Sequence, residues 1–172
     1  MTKLLGIGII LMASTQIGLA LANKLKKRTE ELRAIKLAFA AIETEITFAR
    51  LPLGKIFTKI SANLPKNLAA VFQQTGEEIQ QKTGRTTAEI FNEKLMQSQL
   101  TLHLTPTDIQ HLKESIVPLG KSDLDNSLKS LKLAQTTFAS LEQDAKEIYE
   151  RNSKLHLTLS VCGGLALTIL MI

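Results

Sequence analysis

Charge is missing from both ends of this 172-residue sequence. Lys3 is the only charged side chain before Lys24, and none follows Lys154. A plain soluble enzyme does not carry two uncharged apolar blocks around a charge-rich middle, so that class is disfavoured at once. Tryptophan is absent, tyrosine occurs once and proline four times, which argues against a β-sandwich or barrel built on aromatic strands and turns. A single cysteine excludes an internal disulfide and any zinc site made mainly of cysteines. What is present is ordinary in bulk. Apolar residues are 44 %, charged residues 22 % and the net charge is +5, in a length that suits one domain.

The first apolar block, Leu4 to Ala22, has 19 residues. As a helix it is roughly 28 Å long at about 1.5 Å per residue, close to a hydrocarbon core of about 30 Å. The second, Leu155 to Ile172, has 18 residues with His156 at its edge. Lys24, Lys26, Lys27 and Arg28 follow the first block, and Arg151 and Lys154 precede the second. Basic flanks stay in the cytoplasm, so the pattern predicts two spans with residues 23–154 between them on the cytoplasmic side. Ala20-Leu21-Ala22 also fits a signal-peptidase pattern, which leaves a cleaved signal as one alternative; a buried core helix is the other, but nothing in the middle of the chain is apolar enough to surround it. Ser14, Gly18 and Ala22 in one block, and Ser160, Gly164 and Thr168 in the other, are spaced for close helix packing in lipid.

The middle reads as helix. Leu32, Ile35, Phe39, Ile42, Ile46 and Ala49 recur at spacings 3, 4, 3, 4 and 3, and so do Leu131, Ala134, Phe138, Leu141, Ala145 and Ile148. These two stripes predict long helices from about 25 to 50 and from about 124 onward, capped in the second case by Ser122 or Asp123. Fixed at the same membrane face, they must pack antiparallel. Pro52, Pro65, Pro106 and Pro118 punctuate shorter helices at about 53–63, 66–81, 87–100 and 107–116, with Pro65 and Pro106 expected in first turns and Thr105 as an N-cap. The expected fold is all-α: a six-helix bundle whose two long antiparallel helices continue into N- and C-terminal transmembrane helices. The expected segments are a transmembrane helix 1–22, a cytoplasmic bundle 23–154 and a transmembrane helix 155–172. Phe39, Phe57, Phe72, Phe91 and Phe138 are expected as core anchors.

No catalytic, cofactor-binding or metal-binding set emerges. His103, His111 and His156 form no metal spacing, and His111 with Glu114 is a single i, i+3 pair where zinc needs three or four ligands. Glu43 and Glu45, two apart on a helix, point in different directions and cannot share a substrate. Cys162 lies in an apolar block without a basic neighbour, so it is no reactive thiolate. Gly6-x-Gly8 lies in the expected first span, and Gly84-Arg85 lacks the strand that a phosphate loop follows. The basic residues 24–28 read as a topology signal touching anionic lipid, and no basic stripe interleaved with aromatics suggests nucleic acid.

Lys3-Leu4-Leu5-Gly6, Ile42-Glu43-Thr44-Glu45-Ile46, Pro52-Leu53, Leu119-Gly120-Lys121-Ser122-Asp123 and Lys132-Leu133-Ala134, in this order and spacing, resemble the stage III sporulation protein AB family of endospore-forming bacteria. The resemblance covers the whole chain. It implies a fold similar to the cytoplasmic six-helix domain of the platform proteins of type II secretion and type IV pilus machines. It also implies a place in an envelope-spanning complex between mother cell and forespore during engulfment. The implied partners are a cytoplasmic secretion-type ATPase, stage III sporulation protein AA, other members of that complex, and membrane lipids. Platform proteins carry two bundles and three spans where this chain has one and two, so a homo-oligomer is a further expectation. The resulting expectation is a non-catalytic membrane platform on the mother-cell side of the outer forespore membrane. The alternative is an exported helical adaptor held by the second span; a membrane enzyme is the third reading, for which no chemistry was found.

Overall fold

The structure is a computed structural model that describes residues 2–120 and 124–171, and the side chains of Met12, Gln16, 18–120 and 124–152. All described elements are helical. Helix α1 (Thr2–Thr44) runs into a π-helical turn, Glu45–Ala49. Then follow α2 (Leu53–Ser61), α3 (Lys66–Gln80), α4 (Thr87–Ser98), a 3-10 turn (Gln99–Thr101), α5 (Pro106–Ile116) and α6 (Leu124–Met171). Two compact units divide the chain, one of residues 30–142 and one of residues 1–29 with 143–172.

Local chemistry explains where the helices break. Arg50 closes the π turn in the left-handed region (φ 49°), and Pro52 then disfavours helix for Leu51. Pro52 and Pro65 sit in the N-cap position of α2 and α3, one residue earlier than the first-turn site expected for Pro65. Thr105 caps α5 in a capping box with Asp108, and Pro106 opens the helix where its missing N–H costs nothing. Thr86 and Glu89 make a second capping box on α4. The expected cap at Ser122 or Asp123 lies outside the described residues.

The unit of residues 30–142 is built on a seam between α1 and α6. Lys36 pairs with Glu142, Phe39 stacks at 5.6 Å on Phe138, and Gln135 donates to Glu43 at 2.6 Å. One partner advances along the chain as the other retreats, which is antiparallel packing at heptad spacing. Leu32, Ile35, Phe39, Ile42, Leu131, Ala134 and Phe138 are buried as the stripes require, while Leu141 and Ile46 are half-buried. Ala49 departs from its expected place and is exposed. The wider π turn slows the rotation of the backbone and carries Ala49 off the seam.

Helices α2 to α4 hold a second focus. Phe57, Phe72 and Phe91 meet edge to face, with centroids 5.4, 5.3 and 6.3 Å apart, and none is exposed. Helices α2 and α3 cross at Gly54 and Gly76, where a Cβ on Gly76 would stand 2.6 Å from the Gly54 carbonyl oxygen. Gln80 closes the crossing by donating to Thr58 Oγ1 and the Gly76 carbonyl, both at 3.1 Å.

In the other unit, the described side chains make helical-surface contacts such as Lys146 with Glu150 and Gln143 with Glu147. The expected spans, 4–22 and 155–172, fall mostly outside the described side chains, as do His156, Cys162 and the small-residue stripe of the second block. Of the first stripe, Gly18 is buried and Ala22 half-buried. Among the described residues no helix is long and apolar enough to cross a membrane.

Candidate functional site

Each polar residue singled out from the sequence has its own neighbourhood. Glu43 accepts from Gln135, and Glu45 pairs with Lys59 at 2.6 Å, so the two carboxylates turn to different helices. The second oxygen of Glu45 is buried without a partner. His111 lies 4.0 Å from Glu114 on the border of a shallow groove of about 270 Å³ that Pro118 and Leu133 also line. His103 differs. Its backbone N–H and its ring Nδ1 both meet the carboxylate of Glu31, at 2.8 and 2.9 Å, and Glu31 is buried on α1. This clamp fastens the segment after the 3-10 turn to the long helix. Sequence reasoning missed it, because 72 residues separate the partners and no local spacing announces them. Among the described residues no group of three or more histidine, cysteine, aspartate or glutamate side chains is placed to hold a metal ion.

A charged network ties α3 to α4. Arg85 donates to Glu78 and to Glu93, at 2.7 Å each, and Lys94 lies 2.9 Å from Glu78. The hydrogen bond to Glu93 raises the Arg85 guanidinium pKa, and the bond from Arg85 holds Glu93 below the usual carboxylate range. Lys94 is raised, first by its bond to Glu78. Glu89 is lowered, first by the backbone N–H of Thr86 in the capping box. All four groups are held in their ordinary charged forms, so none is poised to exchange a proton near neutral pH.

The apolar surface is more distinctive. A groove of about 620 Å³ runs between α1 and the turn joining α2 to α3. Ala34, Leu37 and Ala38 line it on one side, Ile60, Leu64 and Pro65 on the other. Leu37 is 57 % exposed there, and beyond the end of α1 Phe48 is 82 % exposed on the π turn. Phe48 is the one phenylalanine of six outside the core. Leu37 thus stands in water at the edge of the groove, while Phe48 lies outside its lining.

The fold and these surfaces define an all-helical bundle protein. The sequence profile of the stage III sporulation protein AB family matches residues 3–172, and the chain belongs to that family. It is 27 % identical over 171 residues to stage III sporulation protein AB of Bacillus subtilis (strain 168), covering 99 % of each chain. A solved structure of a stage III sporulation protein AB superposes with a TM-score of 0.66 at 23 % identity, over 72 % of this chain and 96 % of that one. The likeness to that structure is one of fold.

Proposed function

We propose that this chain is a non-catalytic membrane platform in a secretion-like sporulation complex between mother cell and forespore. Its bundle docks a cytoplasmic secretion-type ATPase, stage III sporulation protein AA. One observation supports the membrane-facing part above others. Residues 30–142 contain thirteen basic and thirteen acidic residues, so this unit is formally neutral. The other unit contains eight basic residues and three acidic ones and carries the whole charge of +5. An excess of Lys and Arg beside two uncharged apolar blocks suits anionic headgroups on the cytoplasmic face. Family membership supports the role in sporulation, and the apolar surfaces of the neutral unit suit docking rather than turnover.

Topology tests the proposal. Gln74 is exposed on α3. In a chain with Cys162→Ser, a Gln74→Cys thiol should resist a membrane-impermeant maleimide in intact sporulating cells and react after permeabilisation. Labelling in intact cells would overturn the platform and favour an exported adaptor, as would an N-terminus at Asn23 in the membrane-extracted protein. Cross-linking from exposed bundle positions should capture the neighbouring ATPase.

A further inference from the structure

Charge is unevenly spread over the unit of residues 30–142, although its sum is zero. Residues 46–76 contain four basic side chains, Arg50, Lys55, Lys59 and Lys66, and no acidic one. The rest of the unit therefore holds nine basic and thirteen acidic residues. Lys59 is paired with Glu45. Arg50, Lys55 and Lys66 are exposed and make no ion pair among the described residues. The α2–α3 crossing brings a further cation to one end of this stretch. Gln80 of α3 lies against Gly54 of α2, where a Cβ on Gly54 would stand 2.9 Å from the Gln80 side chain. Lys82 follows two residues later, and its N–H donates back to the Ile79 carbonyl at 3.2 Å. It too is exposed and without an ion pair among the described residues. Arg50, Lys55 and Lys82 are thus gathered at the start of α2. Stability does not account for them. Arg50 and Lys82 are the two non-glycine residues with positive φ among the described residues, at 49° and 52°. A side chain is strained there and glycine is not. Lys55 stands in the first turn of α2, which has no acidic residue, and a cation there opposes the helix dipole. In α4 and α5 the first turn carries Glu89 and Asp108 instead. Residues that cost local stability and gather one sign of charge in water suit recognition.

We propose that this end of the bundle, formed by Arg50, Lys55 and Lys82, is an electropositive docking face for an acidic surface of a protein partner. The sign of the partner follows from the sign of the face, since opposite charge speeds encounter and like charge excludes wrong partners. Phe48 stands two residues before Arg50 and is 82 % exposed, so an aromatic side chain lies next in the chain to the cations. Arginine and aromatic residues are enriched together at protein interfaces. The identity of the partner, the cytoplasmic ATPase, rests on the docking reading above; the place and the charge of the contact rest on these residues.

Binding of the purified ATPase to the full-length chain in detergent tests this. Affinity for the parent chain should fall as salt rises. Lys55→Glu combined with Lys82→Glu should weaken binding about tenfold or more. Lys129→Glu combined with Lys132→Glu makes the same change of charge at exposed positions of α6 and should weaken it less than about threefold. Arg50→Gly combined with Lys82→Gly should also weaken binding about tenfold, while the thermal transition holds or rises because glycine relieves the backbone strain. If that variant melts earlier than the parent, the cations serve the fold and the docking face is overturned. Equal binding by the parent and the Lys55→Glu, Lys82→Glu chain would overturn the face and leave the docking reading standing. So would an equal loss from the α6 pair, which means net charge and not a face. No binding by the parent chain would overturn both. In sporulating cells, a photo-cross-linking residue in place of Lys55 should capture the ATPase, and capture only of phospholipid or of a second copy of this chain would overturn the proposal.

Discussion

Phe39 and Phe138 meet across the α1–α6 seam with ring centroids 5.6 Å apart and planes tilted by 34°, and neither ring is exposed. They sit midway between the Lys36–Glu142 and Glu43–Gln135 contacts, so they fix the register of the two long helices. Removing either ring leaves a cavity at a site that polar contacts on both sides keep from collapsing. Truncating Phe39 or Phe138 to Ala should cost about 3 to 5 kcal/mol. Denaturant unfolding of a fragment spanning residues 23–154 measures this. The double variant should cost less than the two singles added, because both lose the same contact. A loss below about 1 kcal/mol for either single change would remove them from the seam.

The crossing of α2 and α3 depends on absent side chains. A Cβ on Gly76 would stand 2.6 Å from the Gly54 carbonyl oxygen and 2.8 Å from the Thr58 amide nitrogen, both backbone atoms. Backbone cannot swing aside as a side-chain tip can. Gly76→Ala should therefore destabilise by about 1 to 3 kcal/mol, although Ala in a helix interior normally gains about 1 kcal/mol over Gly. At Gly84, with open space around it, a side chain would be strained by the φ of 78° and not by contact, so its replacement should leave the α2–α3 crossing intact. Thermal unfolding of the two variants separates crowding from backbone strain.

Much of this architecture was legible in the sequence for physical reasons. Heptad-spaced Leu32, Ile35, Phe39 and Ile42 cannot be satisfied except by a facing helix, and Leu131, Ala134 and Phe138 supply the facing stripe. Proline and Thr105 mark boundaries because their effects are local. Contacts without a local signature were not legible. The Glu31–His103 clamp, the Gly54–Gly76 approach and the groove beside Leu37 each join residues far apart in sequence. The π turn was hidden too, since the same residues also fit a regular helix, and only the exposure of Ala49 betrays the slip.

The α4 capping box gives a signed pH dependence. Glu89 is depressed in the folded chain, first by the Thr86 N–H, and Glu93 is depressed by Arg85. A carboxylate lowered on folding contributes stability above its unfolded pKa and loses it as pH falls through the folded value. The stabilisation is therefore complete near neutrality and disappears below the ordinary glutamate range of about 4.3. Replacing Glu89 by Gln should lower the thermal transition at pH 7, and the gap from the parent should close by about pH 3. A gap that persisted unchanged at that pH would place the effect in packing and not in charge. Both groups are exposed, so the shift should be small and should shrink in high salt.

A docking protein and an enzyme differ in their pattern of mutational sensitivity. His111, Glu43 and Glu45 each meet different partners, and His103 is committed to Glu31. No two of them share acid–base geometry, so changing any one to Ala should leave sporulation near normal where the chain still accumulates. For His103 the backbone N–H to Glu31 survives the substitution, which preserves half of the clamp. Surface-wide change should behave differently. Reversing several exposed charges together, such as Lys55, Lys66 and Lys82, should block sporulation without lowering the level or membrane fraction of the protein. Like charges facing a docking partner cost binding energy while the buried core is untouched. Spore counts with immunoblots of the membrane fraction read both classes at once. A single histidine or glutamate variant that abolished sporulation at normal abundance would show chemistry at that residue, and the docking reading would fail there first.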